Sequence, residues 1–477
     1  MAMKPPSPQS RYVTRRRFLR TASGALATLA LAGCTGPRGV FAPARPSFGR
    51  RPESIDTRWP IKRVVYVMLE NRSFDHLFGR FPGANGTSVG LELGRERPLV
   101  RCPDWLPGDL PHDRAAAMAQ LNDGAMDNFG FGAFGPMYGY SQFAPEDIPS
   151  YWHWAENYVL SDNHFASMLG PSYPNHLFFV SGSGGGAIDN PENTMVKHVT
   201  VDGQKLHFKS WGCDAYGEDM FVLVEDDHGN VSKHSTCFEL PTVGEQLSER
   251  EIDWASYSPE PHQPGYIWQG YSAIPGVYGT ELWDAHAPPV DDLLMDIGTG
   301  SLPSVTWVVP RWQLSDHPPA STCHAMNWVT RIVNGIMESA MWEHTAIFIT
   351  WDEWGGLYDH VEPPVLDGKR LGFRVPMLVV SPYAKRGYVD DGLADFVSPL
   401  RFIADNWDLP YLTARYEQVH NYEHVFNFDR RPRRPDPLPL VDCGDSPWVF
   451  PQEHEEWPAD VEPKMPTFPD ERDLPDY

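Results

Sequence analysis

Four short stretches concentrate side chains able to do chemistry, each next to an apolar run. Glu70-Asn71 follows the run at 64–69; a carboxylate and a carboxamide there are two hard oxygen ligands for a divalent cation. Asn71 or Ser73 could instead cap a following helix. Asp352-Glu353 follows the run at 345–351. Adjacent acids repel each other unless a cation neutralises them. They reach one ion only if the strand has already ended, because neighbours in a strand face opposite sides; Gly355-Gly356 signals such a turn. Ser172 lies between Pro171 and Pro174, so its hydroxyl is held in a rigid turn, as in-line attack on phosphorus requires. The plainer use of Ser172 is to cap a helix over 174–182. His317 precedes Pro318-Pro319 and so stands outside regular structure. An imidazole there can donate to phosphoryl oxygens or protonate a leaving group, though a lone His is more often structural. No GxxxxGK[ST] or HExxH stretch competes with these residues, and the Gly-x-Ser-x-Gly windows around Ser183 lack the preceding strand of a nucleophile elbow.

These residues need a scaffold that brings distant segments together. The continuous apolar runs at 64–69, 304–309, 345–351 and 376–381 read as strands buried on both faces, as in a parallel sheet. Between the second and third, Trp328, Ile332 and Ile336 recur every four residues with Val329, Val333 and Met337 beside them, the mark of a helix. The spacing predicts a βαβ unit, hence an α/β fold with a mostly parallel central sheet flanked by helices and ligands bound where strands end. Residues 190–290 are polar and dotted with His and Gly, and read as an insertion or cap in a domain spanning 61–431. The segment 432–477 has 11 prolines in 46 residues and cannot be regular helix or sheet.

The first 34 residues read as an address. Arg15-Arg16-Arg17-Phe18-Leu19 before the apolar run at 25–32 resembles a Tat export signal, and Leu31-Ala32-Gly33-Cys34 resembles a lipobox in which Cys34 is acylated. Residues 35–60 read as a tether. The sequence thus predicts export through the Tat machinery to an extracytoplasmic, membrane-anchored position. The chain carries 39 Lys and Arg against 63 Asp and Glu, a net charge of −24, which argues against a nucleic-acid partner. Six cysteines are spread along it; outside the cytoplasm a disulfide is expected, with Cys213 and Cys237 the nearest pair and the pairing left open. A 41% hydrophobic content is enough for a large core.

Over most of 61–430 the chain resembles the bacterial phosphoesterases that comprise phospholipases C and a group of acid phosphatases, of the alkaline-phosphatase-like superfamily. The resemblance rests on Tyr66-Val67-Met68-Leu69-Glu70-Asn71-Arg72-Ser73-Phe74-Asp75, His112, Gly170-Pro171-Ser172-Tyr173-Pro174-Asn175, Ser315-Asp316-His317-Pro318-Pro319, Thr350-Trp351-Asp352-Glu353-Trp354-Gly355-Gly356 and Asp359-His360-Val361, in that order. It implies that Glu70, Asn71, Ser172, Asp352 and Glu353 hold one divalent ion. It also implies that Ser172 is a nucleophile forming a phospho-enzyme, and that His112, His317 and His360 contact the phosphoryl oxygens or serve the leaving group. An all-oxygen set favours calcium, magnesium or manganese, with zinc possible. The chain departs from its relatives at His176, where Arg is common, and at Phe396, where a His is common.

The expected activity is hydrolysis of phospholipids or related phosphodiesters. Acid phosphatase action on small monoesters is the alternative from the same core, and a surface lipoprotein that binds without turnover is the alternative of another class. No Cys-x-Pro-x-Arg occurs, which disfavours a sulfatase.

Overall fold

The computed structural model describes residues 52–444, apart from 193–196, 202–203, 209, 216–219 and 262, with backbone alone at 197–201 and 204–208. The leader with Cys34, most of the tether and the proline-rich segment from 445 onward lie outside the described residues. Seven strands form the central sheet: β1 (Arg63–Leu69), β2 (Val159–Ser161), β3 (Trp254–Tyr257), β4 (Val305–Val308), β5 (Thr345–Trp351), β6 (Met377–Val380) and β7 (Tyr388–Asp390). Their spatial order is β3-β4-β1-β5-β6-β2-β7. Every neighbouring pair is parallel except the two that involve β6. This is the mostly parallel α/β sheet that the apolar runs imply. β1 and β5 lie inside it and are buried at every position, which is why their sequences do not alternate.

Three helices position the residues discussed below: α1 (Phe74–Phe78), α2 (Ser172–Ser181) and α3 (Thr322–Met337). The Ser321 side chain caps α3 by accepting from the His324 N–H. Its periodic residues Val329, Ile332, Val333 and Ile336 are all at 0% exposure. Burying each contributes about 1.5–3 kcal/mol before conformational entropy is subtracted. α3 links β4 to the parallel β5 as the βαβ reading requires, but the two strands are not neighbours: Val64 of β1 pairs with Val305 on one side and Ala346 on the other.

Two expectations are corrected. The run at 376–381 is a buried strand, but β6 runs against both neighbours; burial on two faces makes a run apolar whatever its direction. Residues 190–290 are not uniformly an insertion. They hold two hairpins (Lys197–Val201 with Gln204–Phe208, Val222–Glu225 with Val231–His234), but Trp254–Tyr257 is β3, a fully buried edge strand on β4.

Cys213 pairs with Cys237, and Cys323 at the start of α3 pairs with Cys443. Residues 432–444 contain no helix or strand, and the stretch 438–443 lies along α3. Asn327 and Asn334 there each exchange two hydrogen bonds of 2.7–2.9 Å with the passing backbone at Val441 and Leu438.

Candidate active site

Glu70-Asn71 leaves β1 and Asp352-Glu353 leaves β5 side by side, since Leu69 and Trp351 are the last paired residues of these neighbouring strands. Asn71 turns the chain at φ 63°, a left-handed conformation that Asn tolerates, and its N–H donates to Asp352 Oδ1 at 2.8 Å. The helix-cap alternative falls to Ser73, whose hydroxyl caps α1 by accepting from the His76 N–H. Gly355 and Gly356 do more than turn. A Cβ on Gly355 would stand 2.4 Å from the Asn71 carbonyl oxygen, and one on Gly356 would stand 2.7 Å from Leu110 Cβ. The two glycines therefore let Asn71 and the loop carrying His112 close over the acids.

Ser172 is the first residue of α2, and the N-cap position before it is Pro171, which makes no side-chain cap. The Ser172 side chain stands beside the Glu70 carboxylate instead and acts to lower its pKa. Asn175 fixes this corner, its Nδ2 donating to the carbonyls of Gly170 at 3.3 Å and Pro171 at 3.1 Å. One helical turn on, His176 places Nε2 2.9 Å from Glu70 Oε1 and 3.8 Å from Asp352 Oδ2. His176 was noted in the sequence only as a departure from relatives. Its spacing of four from Ser172, which puts both on one helix face, was the signal available.

Glu70, Asp352 and Glu353 are each at 0% exposure. Among the described residues no Lys or Arg pairs with them; their only ion-pair partners are His112 and His176. Arg72, next in sequence, points elsewhere, donating to the Asp316 carbonyl at 2.6 Å and Thr322 Oγ1 at 3.1 Å. Burial, then the charges of Asp352 and Glu353, push the pKa of Glu70 well up; burial does the same to Glu353. Glu70 Oε2, Asn71 Oδ1, Asp352 Oδ2 and Glu353 Oε1 are all buried without a hydrogen-bond partner. Uncompensated buried charge costs several kcal/mol per ion, so this donor set fits a divalent cation. Glu70, His176 and Asp352 present ligand atoms within 4.8 Å of one another. An imidazole therefore stands beside the oxygen ligands the sequence reading gave, and burial lowers its pKa to about 4.

His112 and His317 flank the acids. His112 Nε2 lies 3.9 Å from Glu353 Oε1, and the two imidazole rings stand 5.6 Å apart. Burial opposes the charge on His112, but the carboxylates of Asp109 and Glu353 outweigh it and raise the pKa to about 9. Burial lowers the pKa of His317. In each ring Nδ1 is bonded at 2.6 Å to a carbonyl, of Leu110 and Pro318 respectively. The sequence reading did not single out Asp109, which faces both rings, at 3.5 Å from His112 Nδ1 and 4.0 Å from His317 Nε2. It also left Asp316 without a role. That side chain is buried, accepts from Trp351 Nε1 at 2.8 Å and the Tyr151 hydroxyl at 3.2 Å, and is pushed up to about 6 by burial.

His360 takes its contacts from another cluster. It bonds Asp75 through Nδ1 at 2.6 Å and Asn85 through Nε2 at 3.2 Å, beside the fully buried Arg374 that also pairs with Asp75 and Asp359. None of these partners belongs to the Ser172 group. The lipidation residue Cys34 lies outside the described residues.

A family model described as "Phosphoesterase family" matches residues 61–410. The "Hemolytic phospholipase C" of Pseudomonas aeruginosa is 26% identical over 463 residues, covering 82% of this chain; the chain spans 58% of that relative's length. "Phospholipase C A" of Mycobacterium tuberculosis is 24% identical over 434 residues, 78% of each chain. "Phospholipase C B" of the same organism is 25% identical over 489 residues, 88% of this chain and 87% of its own. Among solved structures, one of a protein in the alkaline phosphatase superfamily from Vibrio parahaemolyticus covers 81% of this chain and 74% of its own at 9% identity and a TM-score of 0.35, too slight a likeness to argue from.

Proposed function

The chain belongs to the phosphoesterase family, and from that premise we propose that it is an exported, metal-dependent phosphoesterase of phospholipase C type. It acts on phospholipids or related phosphodiesters through a phosphoserine at Ser172. The observation that carries this reading is Ser172 placed beside Glu70, one of three buried carboxylates that have no Lys or Arg partner among the described residues.

Glu70, Asn71, His176, Asp352 and Glu353, with Ser172, are the residues that would hold a divalent cation. When bound, it would neutralise the carboxylates and favour the alkoxide form of the serine. Pro171 and Asn175 hold Oγ for in-line attack. As Oγ bonds to phosphorus, the ester oxygen on the glycerol side departs with its electron pair and takes a proton from an imidazole; His112, beside Glu353, is the donor in place. Water then attacks the phosphoserine and gives its proton to His317, while the P–Oγ bond breaks with its electron pair left on Oγ, restoring the Ser172 alkoxide and releasing the phosphorylated head group. Membrane attachment through Cys34 and export through the Tat route complete the proposal.

The test is turnover of p-nitrophenyl phosphorylcholine by the mature protein, beside p-nitrophenyl phosphate, with and without chelator. Ser172→Ala should lose at least about 10³-fold in kcat while remaining folded, and chelation should silence the wild type until Mn²⁺ or another divalent ion is returned. A strong preference for the monoester would replace the lipase reading with a phosphatase, and full activity in Ser172→Ala would overturn the nucleophile.

A further inference from the structure

The catalytic residues all follow the carboxyl ends of sheet strands: Glu70 after β1, Ser172 after β2, His317 after β4, Asp352 after β5. At the opposite end of the sheet lies a cleft of about 290 Å³ lined by Asn157, Tyr158, Arg386, Arg433, Arg434 and Asp436. The topology fixes that position. Asn157-Tyr158 leads into β2 and Arg386 leads into the parallel β7, while Ser381 and Pro382, which Arg433 bonds, follow the antiparallel β6. The length of a seven-residue strand, about 20 Å, separates it from the Ser172 group.

Three arginines in one cleft are unexpected in a chain with 63 acids and 39 basic residues. Arg101, Arg311 and Arg370 each pair with a carboxylate, whereas Arg386, Arg433 and Arg434 form no ion pair among the described residues, nor does Arg430 nearby. The one acid in the cleft, Asp436, bonds His153 Nε2 at 3.0 Å instead. Arg433 is pinned by its neighbours rather than by charge. One terminal nitrogen donates to the Asn157 carbonyl at 2.7 Å, the guanidinium lies 4.2 Å over the Tyr158 ring, and Nε is buried with no partner. Arg386 donates to Asn157 Oδ1 at 2.9 Å. Burial first, and repulsion from Arg430 and Arg386 among the lesser causes, holds the pKa of Arg433 below its usual value. The fold thus keeps like charges together in one cleft.

We propose that this cleft binds a phosphate-bearing anion, with Arg386, Arg433 and Arg434 as its donors. Guanidinium forks match tetrahedral oxyanions in pairs of parallel N–H···O bonds, and Arg433 is already oriented by its carbonyl and ring contacts. Such an anion reaches an extracytoplasmic phosphoesterase either free, as orthophosphate, or as the head group of an anionic lipid. The proposal concerns binding and does not depend on the Ser172 chemistry.

The variant that tests it is Arg386→Glu/Arg434→Glu, because both side chains are exposed and neither ties the backbone, whereas Arg433 does. Orthophosphate binding to the full chain is measured by calorimetry, and co-flotation by vesicles of phosphatidylcholine alone and with phosphatidylglycerol. The melting temperature and p-nitrophenyl phosphate turnover of the variant should match the wild type. Phosphate affinity at this site is expected to fall at least about tenfold in the variant and to weaken in the wild type as salt rises. Loss of phosphate binding alone identifies the free anion as the ligand, and loss of flotation on the anionic vesicles identifies the head group. Equal phosphate binding and equal flotation by variant and wild type would overturn the proposal.

Discussion

Ser172 and His176 owe their meaning to one helical turn. Ser172 stands beside Glu70 and His176 touches the same carboxylate through Nε2, so one side of the α2 start faces the acids. The histidines divide by what they touch. His317 lies beside His112 and Asp109, whereas His360 completes a buried network with Asp75, Asp359 and Arg374. His317→Ala should therefore cut turnover by about 10²–10⁴-fold with the melting temperature kept. His360→Ala should do the reverse, costing about 1–3 kcal/mol of stability while turnover changes only a few-fold. Paired kinetics and thermal melts of the two variants check this; a His360 variant that is inactive but fully stable would return that residue to the phosphoryl site.

At the scale of elements, the site is a meeting of strand ends. β1 and β5 are neighbours in register, so the acids that follow them need no further device to come together. The glycine turn after β5 does need one. Gly355 has φ 64° and its missing Cβ leaves room for the Asn71 carbonyl, whereas Gly300 has φ 70° and nothing within 4 Å. Gly355→Ala should lose at least about 2 kcal/mol, and Mn²⁺ affinity with it, because strain and a backbone clash add. Gly300→Ala should lose only the strain, about 1 kcal/mol, and leave metal binding intact. Denaturant melts and metal titration of the two variants separate the effects.

Over the whole molecule, the C-terminal run is bound to the core by Cys323–Cys443 and by the two asparagines of α3. The disulfide closes 120 residues, for which the chain-entropy account gives about 4–5 kcal/mol. Cys323→Ser should therefore lower the melting temperature markedly, as a thermal melt of the variant would show. Acid sensitivity has a definite origin in His164. This side chain is fully buried, and burial, with a smaller push from His420, lowers its pKa to about 3. Because the folded value lies below the unfolded one of about 6.5, the unfolded chain takes up a proton that the fold refuses as pH falls between them. Its effect on stability is absent above pH 6.5 and grows to a loss of about 1.4 kcal/mol per pH unit down towards pH 3. Melting curves of wild type and His164→Gln from pH 7 to 4 should show a shallower slope in the variant.

The order of apolar runs, the acids at their ends and the glycines beyond them were legible in the residues, because burial on two faces leaves a strand no polar position and a turn needs glycine. The direction of β6 and the use of 254–257 as an edge strand were not legible, since burial constrains side-chain type but not strand polarity or which neighbour is chosen. Tertiary structure alone decided which histidines face Ser172, that His176 joins the acids, and that three arginines gather at the far end of the sheet. Each of these depends on contacts between residues far apart in sequence, and local periodicity carries no record of a partner that distant.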